Sequence, residues 1–171
     1  MCGIVGQVNK QEAINREVFN HARDTLVHRG PDDADSQFFL NDRVALGHRR
    51  LSFLDLSANG RQPMSNEDAT CWLVCNGEIY NYRELRKQLI DLGHAFRSNS
   101  DSEVILHAYE QWGMDALDLL QGMFAFALWD SRKEKLWLVR DRFGIKPLYY
   151  CLTENGIAFA SEIKAIKALK L

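Results

Sequence analysis

The sequence predicts an α+β fold in which two mainly antiparallel sheets carry helices on their outer faces. Three observations support this. Strand-like runs gather towards both ends of the 171-residue chain, with two amphipathic helices between them. The strand runs are joined by short connections, which suit antiparallel neighbours rather than parallel crossovers. A chain of this length makes one domain, residues 1–171, that buries about 70% of its unfolded surface and needs no disulfide staples.

In order, residues 3–8 read as a strand. Residues 11–27 place Ile14, Val18, Ala22 and Leu26 at steps of four, an amphipathic helix that Gly30-Pro31 brings to an end. Strand-like runs follow at 36–40, 43–48 and 51–54, then a polar surface loop over 55–69. Residues 71–75 form a buried-looking strand running straight into Asn76-Gly77-Glu78. Asn81-x-x-Glu84 and Ser100-x-x-Glu103 are capping-box signatures. The first opens a helix with Leu85, Leu89 and Leu92 that stops at Gly93; the second carries Val104, Ile105, Ala108, Tyr109 and Trp112 up to Gly113. A shorter helix around 114–120 precedes strands at 123–129, 136–139, 148–152 and 157–160, the last two joined by Asn155-Gly156 as a hairpin turn. The aromatic run at 124–129 is core strand, Arg140-Asp141-Arg142 is a charged turn, and Lys164, Lys167 and Lys170 form one solvated helix face.

Composition excludes several classes. Hydrophobic residues at 46% and charged residues at 26% are globular values, not those of a disordered chain. Twenty-one Lys and Arg against 23 Asp and Glu leave a net charge of −2, with no basic excess for a nucleic-acid backbone. No apolar run reaches the roughly 18–20 residues of a membrane span, and the N-terminus has no signal-peptide pattern. A cytoplasmic protein with neither nucleic-acid nor membrane partners is expected. In that setting Cys71, Cys75 and Cys151 read as packing thiols, since disulfides are disfavoured and no spacing suits a metal.

Cys2 stands apart. Removal of Met1 would make it the first residue, uniting a thiol and an α-amine in one place. The amine, with a reference pKa of about 7.7–8.0, is a base near neutral pH, and the thiol is a competent nucleophile. Its neighbours then matter. Cys2-Gly3-Ile4-Val5-Gly6, His28-Arg29-Gly30-Pro31-Asp32, Arg50-Leu51-Ser52, Asn76-Gly77-Glu78-Ile79-Tyr80-Asn81 and Ser100-Asp101-Ser102-Glu103 occur in this order. Gly122-Met123-Phe124-Ala125-Phe126-Ala127, Arg140-Asp141-Arg142-Phe143-Gly144-Ile145-Lys146-Pro147-Leu148-Tyr149 and Ala160-Ser161-Glu162-Ile163-Lys164-Ala165 complete the set. Together they resemble the class II glutamine amidotransferase domain, the N-terminal-nucleophile glutaminase half of glutamine-hydrolysing asparagine synthetase, over essentially the whole chain.

The resemblance implies a four-layered α/β/β/α sandwich and hydrolysis of glutamine to glutamate and ammonia through a Cys2 thioester. It assigns the oxyanion hole to the side-chain amide of Asn76 and the backbone N–H of Gly77, although Asn-Gly alone reads as a tight turn. Arg50 would clamp the substrate carboxylate, a task suited to a guanidinium, and Asp101 would meet the α-ammonium. Strand alternation sends Arg49 to the other face. Backbone groups of Phe53 and Leu54, with Glu78, would frame the substrate. His28, Arg29 and Gly30 would border the nucleophile, His28 in a structural role. No metal or cofactor is expected for this half. ATP and Mg belong to a synthetase domain whose Ser-Gly-Gly-x-Asp-Ser loop this sequence lacks, so that domain is expected as a fused or separate partner. The expected acceptor of ammonia is the asparagine precursor, with another carboxylate such as a sugar acid as the alternative. A catalytically inactive interaction module is the other alternative, against which the intact Cys2, Arg50, Asn76 and Asp101 speak.

Overall fold

A computed structural model of the chain describes residues 1–52 and 55–171. In chain order the elements are β1 (Gly3–Asn9), α1 (Arg16–Asp24), β2 (Asp33–Phe39), β3 (Val44–Arg50), β4 (Met64–Ser65), β5 (Cys71–Ile79), α2 (Tyr82–Asp91), α3 (Glu103–Trp112), α4 (Ala116–Leu119), β6 (Gly122–Asp130), β7 (Lys135–Arg140), β8 (Tyr149–Thr153), β9 (Gly156–Ala160) and α5 (Ile163–Ala168). One sheet has the order β2-β3-β1-β9-β8 and the other β4-β5-β6-β7, with every neighbouring pair antiparallel.

Alternation along the strands explains why the sheets stack. Ile4, Leu46 and Phe159 of the first sheet meet Val74, Ala127 and Trp129 of the second in a buried layer between them. The residues of opposite parity face outward. Val5, Ala45 and Ala158 pack under Phe19 and Ala22 of α1 and Ala165 of α5. Leu73, Phe126 and Leu128 pack under Leu85 and Leu89 of α2 and Ile105 of α3. The result is the expected α/β/β/α order, which periodicity alone did not provide. None of the described helices is long and apolar enough to cross a membrane.

Local chemistry moved several boundaries. α1 begins at Arg16, later than the expected 11, because Asn15 Oδ1 accepts from the N–H groups of Glu17 and Val18 and caps it there. Neither capping box forms. Asn81 turns away from its helix, its Nδ2 donating to Leu119 O at 2.9 Å and its Oδ1 accepting from Gln121 N–H at 3.1 Å. α3 starts after Ser102 rather than Ser100, and Glu103 reaches back to accept from the N–H groups of Arg97 and Ser98. Gly93 does end α2, at φ 100°. The β8–β9 hairpin turns on Glu154-Asn155, with Gly156 already paired to Thr153. Leu51 and Ser52 are not strand, and 53–54 lie outside the described residues.

Candidate active site

The inner parity of the two sheets delivers the chemistry. Cys2 shares the inward parity of Ile4, just ahead of β1, and Arg50 follows Leu46 and His48 on β3. Asn76 follows Val74 on β5. At this end of the sandwich the side chains give way to a cavity of about 230 Å³, lined among others by Cys2, Arg50, Asn76, Gly77, Glu78 and Asp101. Of the residues that the sequence singled out, Cys2, Arg50, Asn76, Gly77, Glu78 and Asp101 therefore border one space, while Arg29 and Gly30 are absent from its lining, which leaves Phe53 and Leu54. Those two lie outside the described residues.

Cys2 is held from several sides. Its Sγ accepts from Leu51 N–H at 3.4 Å, and Arg29 Nε donates to its carbonyl at 2.9 Å. Ile4 N–H donates to Ser161 Oγ at 3.0 Å, while Ser161 N–H returns a bond to Ile4 O. Burial pushes the Cys2 thiol up, an effect opposed by the Leu51 N–H, by the positive N-terminus and by Arg50. Met1 also lines the cavity.

Arg50 is 8% exposed. Its Nη1 donates to Ser57 O at 2.9 Å and its Nη2 to Asp55 O. Gly60 packs so closely on the guanidinium that a Cβ there would collide with Nη2. Asp55 ties this loop down, accepting from Ser57 N–H and Asn99 N–H at 2.8 Å each. Arg49 takes the opposite face, donating to Gly30 O.

Asn76-Gly77 is not at a turn: β5 continues through both to Ile79. Gly77 is needed for contact, since a Cβ would come within 2.6 Å of Phe124 Cα on β6. Alternate amides of a strand face one edge. On β5 the Cys75 N–H donates to Gln62 Oε1 at 2.6 Å and the Ile79 N–H to Asp101 Oδ2 at 2.7 Å. The Gly77 N–H between them faces that same edge. Asn76 is 1% exposed, and its Nδ2 finds no hydrogen-bond partner among the described residues. A buried amide donor left in that state is costly unless something occupies its direction. Asp101, anchored by Ile79, has its carboxyl pushed up, first by burial and then by Glu78, against the lowering effect of the Ile79 N–H.

Some expectations shift. His28 lies outside the cavity lining: its Nε2 meets Glu162 Oε1 at 2.9 Å, in a cluster that Arg29 and Lys164 complete. Burial pushes the Glu162 carboxyl up, but these three donors outweigh it and take it down to about 2. The imidazole that does line the cavity is His48, two residues before Arg50 on the same strand face. Its Nε2–H donates to Cys75 O at 3.1 Å, and burial takes its pKa down to about 4, so it is neutral. Alternation from Arg50 could have found it. Lys146 was missed as well: it stands in the motif at 140–149, but no role was assigned to it. Cys71 and Cys75 are buried thiols, Cys71 pushed up to about 11 by burial. Cys151 is instead exposed, because β8 is an edge strand whose outer residues have no covering layer.

Over residues 1–171 the chain matches the sequence profile of the family described as "Glutamine amidotransferase domain". The chain belongs to this family. The glutamine amidotransferase domain is 45% identical over 170 residues to Asparagine synthetase [glutamine-hydrolyzing] 2 of Bacillus subtilis, covering 97% of this chain and 22% of that protein. It is 43% identical over 148 residues to Amidase chry2 of Gibberella zeae, covering 86% of this chain and 22% of that one. It thus spans about a quarter or less of these relatives. In fold it matches the glutamine phosphoribosylpyrophosphate amidotransferase of Bacillus subtilis, with a TM-score of 0.83 and 21% identity, over 99% of this chain and 44% of the other.

Proposed function

We propose that this domain hydrolyses glutamine to glutamate and ammonia, with Cys2 as nucleophile once Met1 has been removed. The observation that carries the reading is the buried Asn76 Nδ2, without a partner among the described residues, in the cavity that Cys2, Arg50 and Asp101 also line. Arg50 receives the substrate carboxylate, its fork oriented by the carbonyls of Asp55 and Ser57. Asp101 receives the α-ammonium. These two contacts leave the side-chain amide directed at Cys2.

The thiol passes its proton to the α-amine, and Sγ attacks the amide carbon. Negative charge moves to the amide oxygen, where Asn76 Nδ2 and Gly77 N–H donate to it. The ammonium returns the proton to the leaving nitrogen and ammonia departs, leaving a thioester. Water, activated by the same amine, attacks the thioester carbon; glutamate leaves and the thiol is restored. With Met1 attached, the nitrogen of Cys2 is a peptide amide and accepts no proton near neutral pH, so the untrimmed chain lacks the base.

The likeness to asparagine synthetases supports delivery of the ammonia to an ATP-dependent amidation on a synthetase domain or subunit, with the asparagine precursor as acceptor. A cytoplasmic setting, where thiols stay reduced, suits the free cysteines.

The test uses chain shown by intact mass to have lost Met1. A glutamine analogue with an electrophilic side chain is expected to add once, on the N-terminal peptide, and Cys2→Ala to abolish both the adduct and ammonia release. Labelling spread over Cys71, Cys75 or Cys151 would refute the assignment. Equal turnover by chain that retains Met1 would refute the α-amine as base.

A further inference from the structure

The mechanism leaves one cation of the cavity without a task. Lys146 is 7% exposed and lines the same cavity as Cys2. Its Nζ donates to Met1 Sδ at 3.4 Å, and among the described residues no carboxylate pairs with it.

The chain invests a tightly bonded loop in placing it there. Asp141, itself 5% exposed, accepts from the N–H groups of Phe143 at 3.1 Å, Ile145 at 2.9 Å and Lys146 at 3.0 Å. The Asp141 N–H donates to Phe124 O on β6 at 2.7 Å, which anchors the loop to the sheet bearing Asn76. From the other side Arg140 donates to Lys146 O at 2.7 Å and Gly144 O at 2.6 Å. Both backbone polar groups of Lys146 are thus held by charged side chains, while its own charge is committed to none.

We propose that Lys146 is a positioning residue for Cys2: its ammonium holds the freed α-amine as an uncharged base and favours the thiolate. This rests on the glutaminase reading. The need arises from the surrounding charges. Glu78 from β5, Asp101 from the turn before α3 and Asp55 from the loop after β3 all line the cavity and draw the amine towards its charged form. Arg50 of β3 opposes them but is engaged by two carbonyls and the substrate carboxylate. His48 and Cys75 are neutral. Arg29 donates to the Cys2 carbonyl from outside the lining but is paired with Glu162 at 3.0 Å, so Lys146 is the remaining cation among the cavity's lining residues. A second positive charge in the same cavity is disfavoured, and so the amine stays free.

The experiment compares trimmed wild type, Lys146→Met and Lys146→Arg by the pH dependence of kcat/KM and by the rate of Cys2 alkylation with iodoacetamide. Lys146→Met should move the acidic limb up by about one unit, costing on the order of tenfold in rate below neutrality and little well above it. Alkylation near neutral pH should slow several-fold, the KM for glutamine should hold, and Lys146→Arg should restore both profiles. An unmoved limb, or a raised KM with unchanged pH dependence, would overturn the proposal. Lys146→Gln replaces Lys146→Met if the latter fails to fold. If trimmed wild type released no ammonia, the glutaminase reading would fail, while the alkylation rates would still decide the role of Lys146.

Discussion

Arg50 and Asn76 reach the cavity from different sheets and would meet glutamine at different stages. Arg50 carries a full charge and is oriented before substrate arrives, so its contact with a carboxylate is the same in the ground and transition states. Asn76 offers a neutral amide whose bond strengthens only as the amide oxygen becomes an oxyanion. Arg50→Ala should therefore raise KM by about ten- to a hundredfold, matching the roughly 1.5–3 kcal/mol of a charged hydrogen bond, with kcat nearly unchanged. Asn76→Ala should lower kcat by about 10²–10³ at similar KM. Steady-state kinetics on trimmed protein check both, and a fall in kcat at constant KM for Arg50→Ala would reverse the two roles. Both residues stand in recognisable motifs, and so both were legible from the chain. Lys146 also stands in a motif, residues 140–149, but the start of that stretch reads as a charged turn and nothing in it announces a cavity that other segments build.

At the scale of elements, the start of α3 holds Asp101 in place and depends on Glu103. That carboxylate is 5% exposed and accepts from Arg97 N–H, Ser98 N–H and Ser98 Oγ, with His107 one turn on. Burial pushes it up, but these donors prevail and take it down to about 2. A carboxyl lowered on folding contributes stability above its unfolded pKa, near 4.5, and loses it as pH falls towards 2. The amount is on the order of 3 kcal/mol. His107 is disfavoured as a cation by burial, but Glu103, Glu67 and Glu110 outweigh this and raise its pKa, so its share is present below about 6.5 and lost as pH rises through its folded value. Urea midpoints from about pH 2.5 to 7 should show wild type weakening below 4.5 more steeply than Glu103→Gln, in which Glu162 and Asp141, also lowered on folding, still titrate. The same region shows why the capping boxes were misread. Asn81 and Ser100 have the right spacing, but partners distant in sequence, or a neighbouring turn, claimed their side chains first.

For the molecule as a whole, the site exists only because two sheets are stacked in register, Cys2 and Arg50 coming from one and Asn76 and Gly77 from the other. Phe159 fills the layer between them with no exposure, opposite Gly6 of β1, where a Cβ would strike its ring. Phe159→Ala should cost about 3–5 kcal/mol, seen as a lower urea midpoint at unchanged slope. It should also slow turnover, because Cys2 directly precedes β1. Full activity in a variant destabilised by that amount would show that the site does not depend on this packing. Alternating apolar residues determined strand and helix content by themselves, since a period of two or of 3.6 is written in the chain and needs no partner. The motifs likewise named Cys2, Arg50, Asn76 and Asp101. Only the tertiary structure decided the layer order, drew β5 on through Asn76-Gly77, set His28 outside the cavity and His48 inside it, and brought Lys146 into the cavity that Cys2 lines. Those outcomes depend on contacts between segments up to 145 residues apart, as between Lys146 and Met1, which no local pattern encodes.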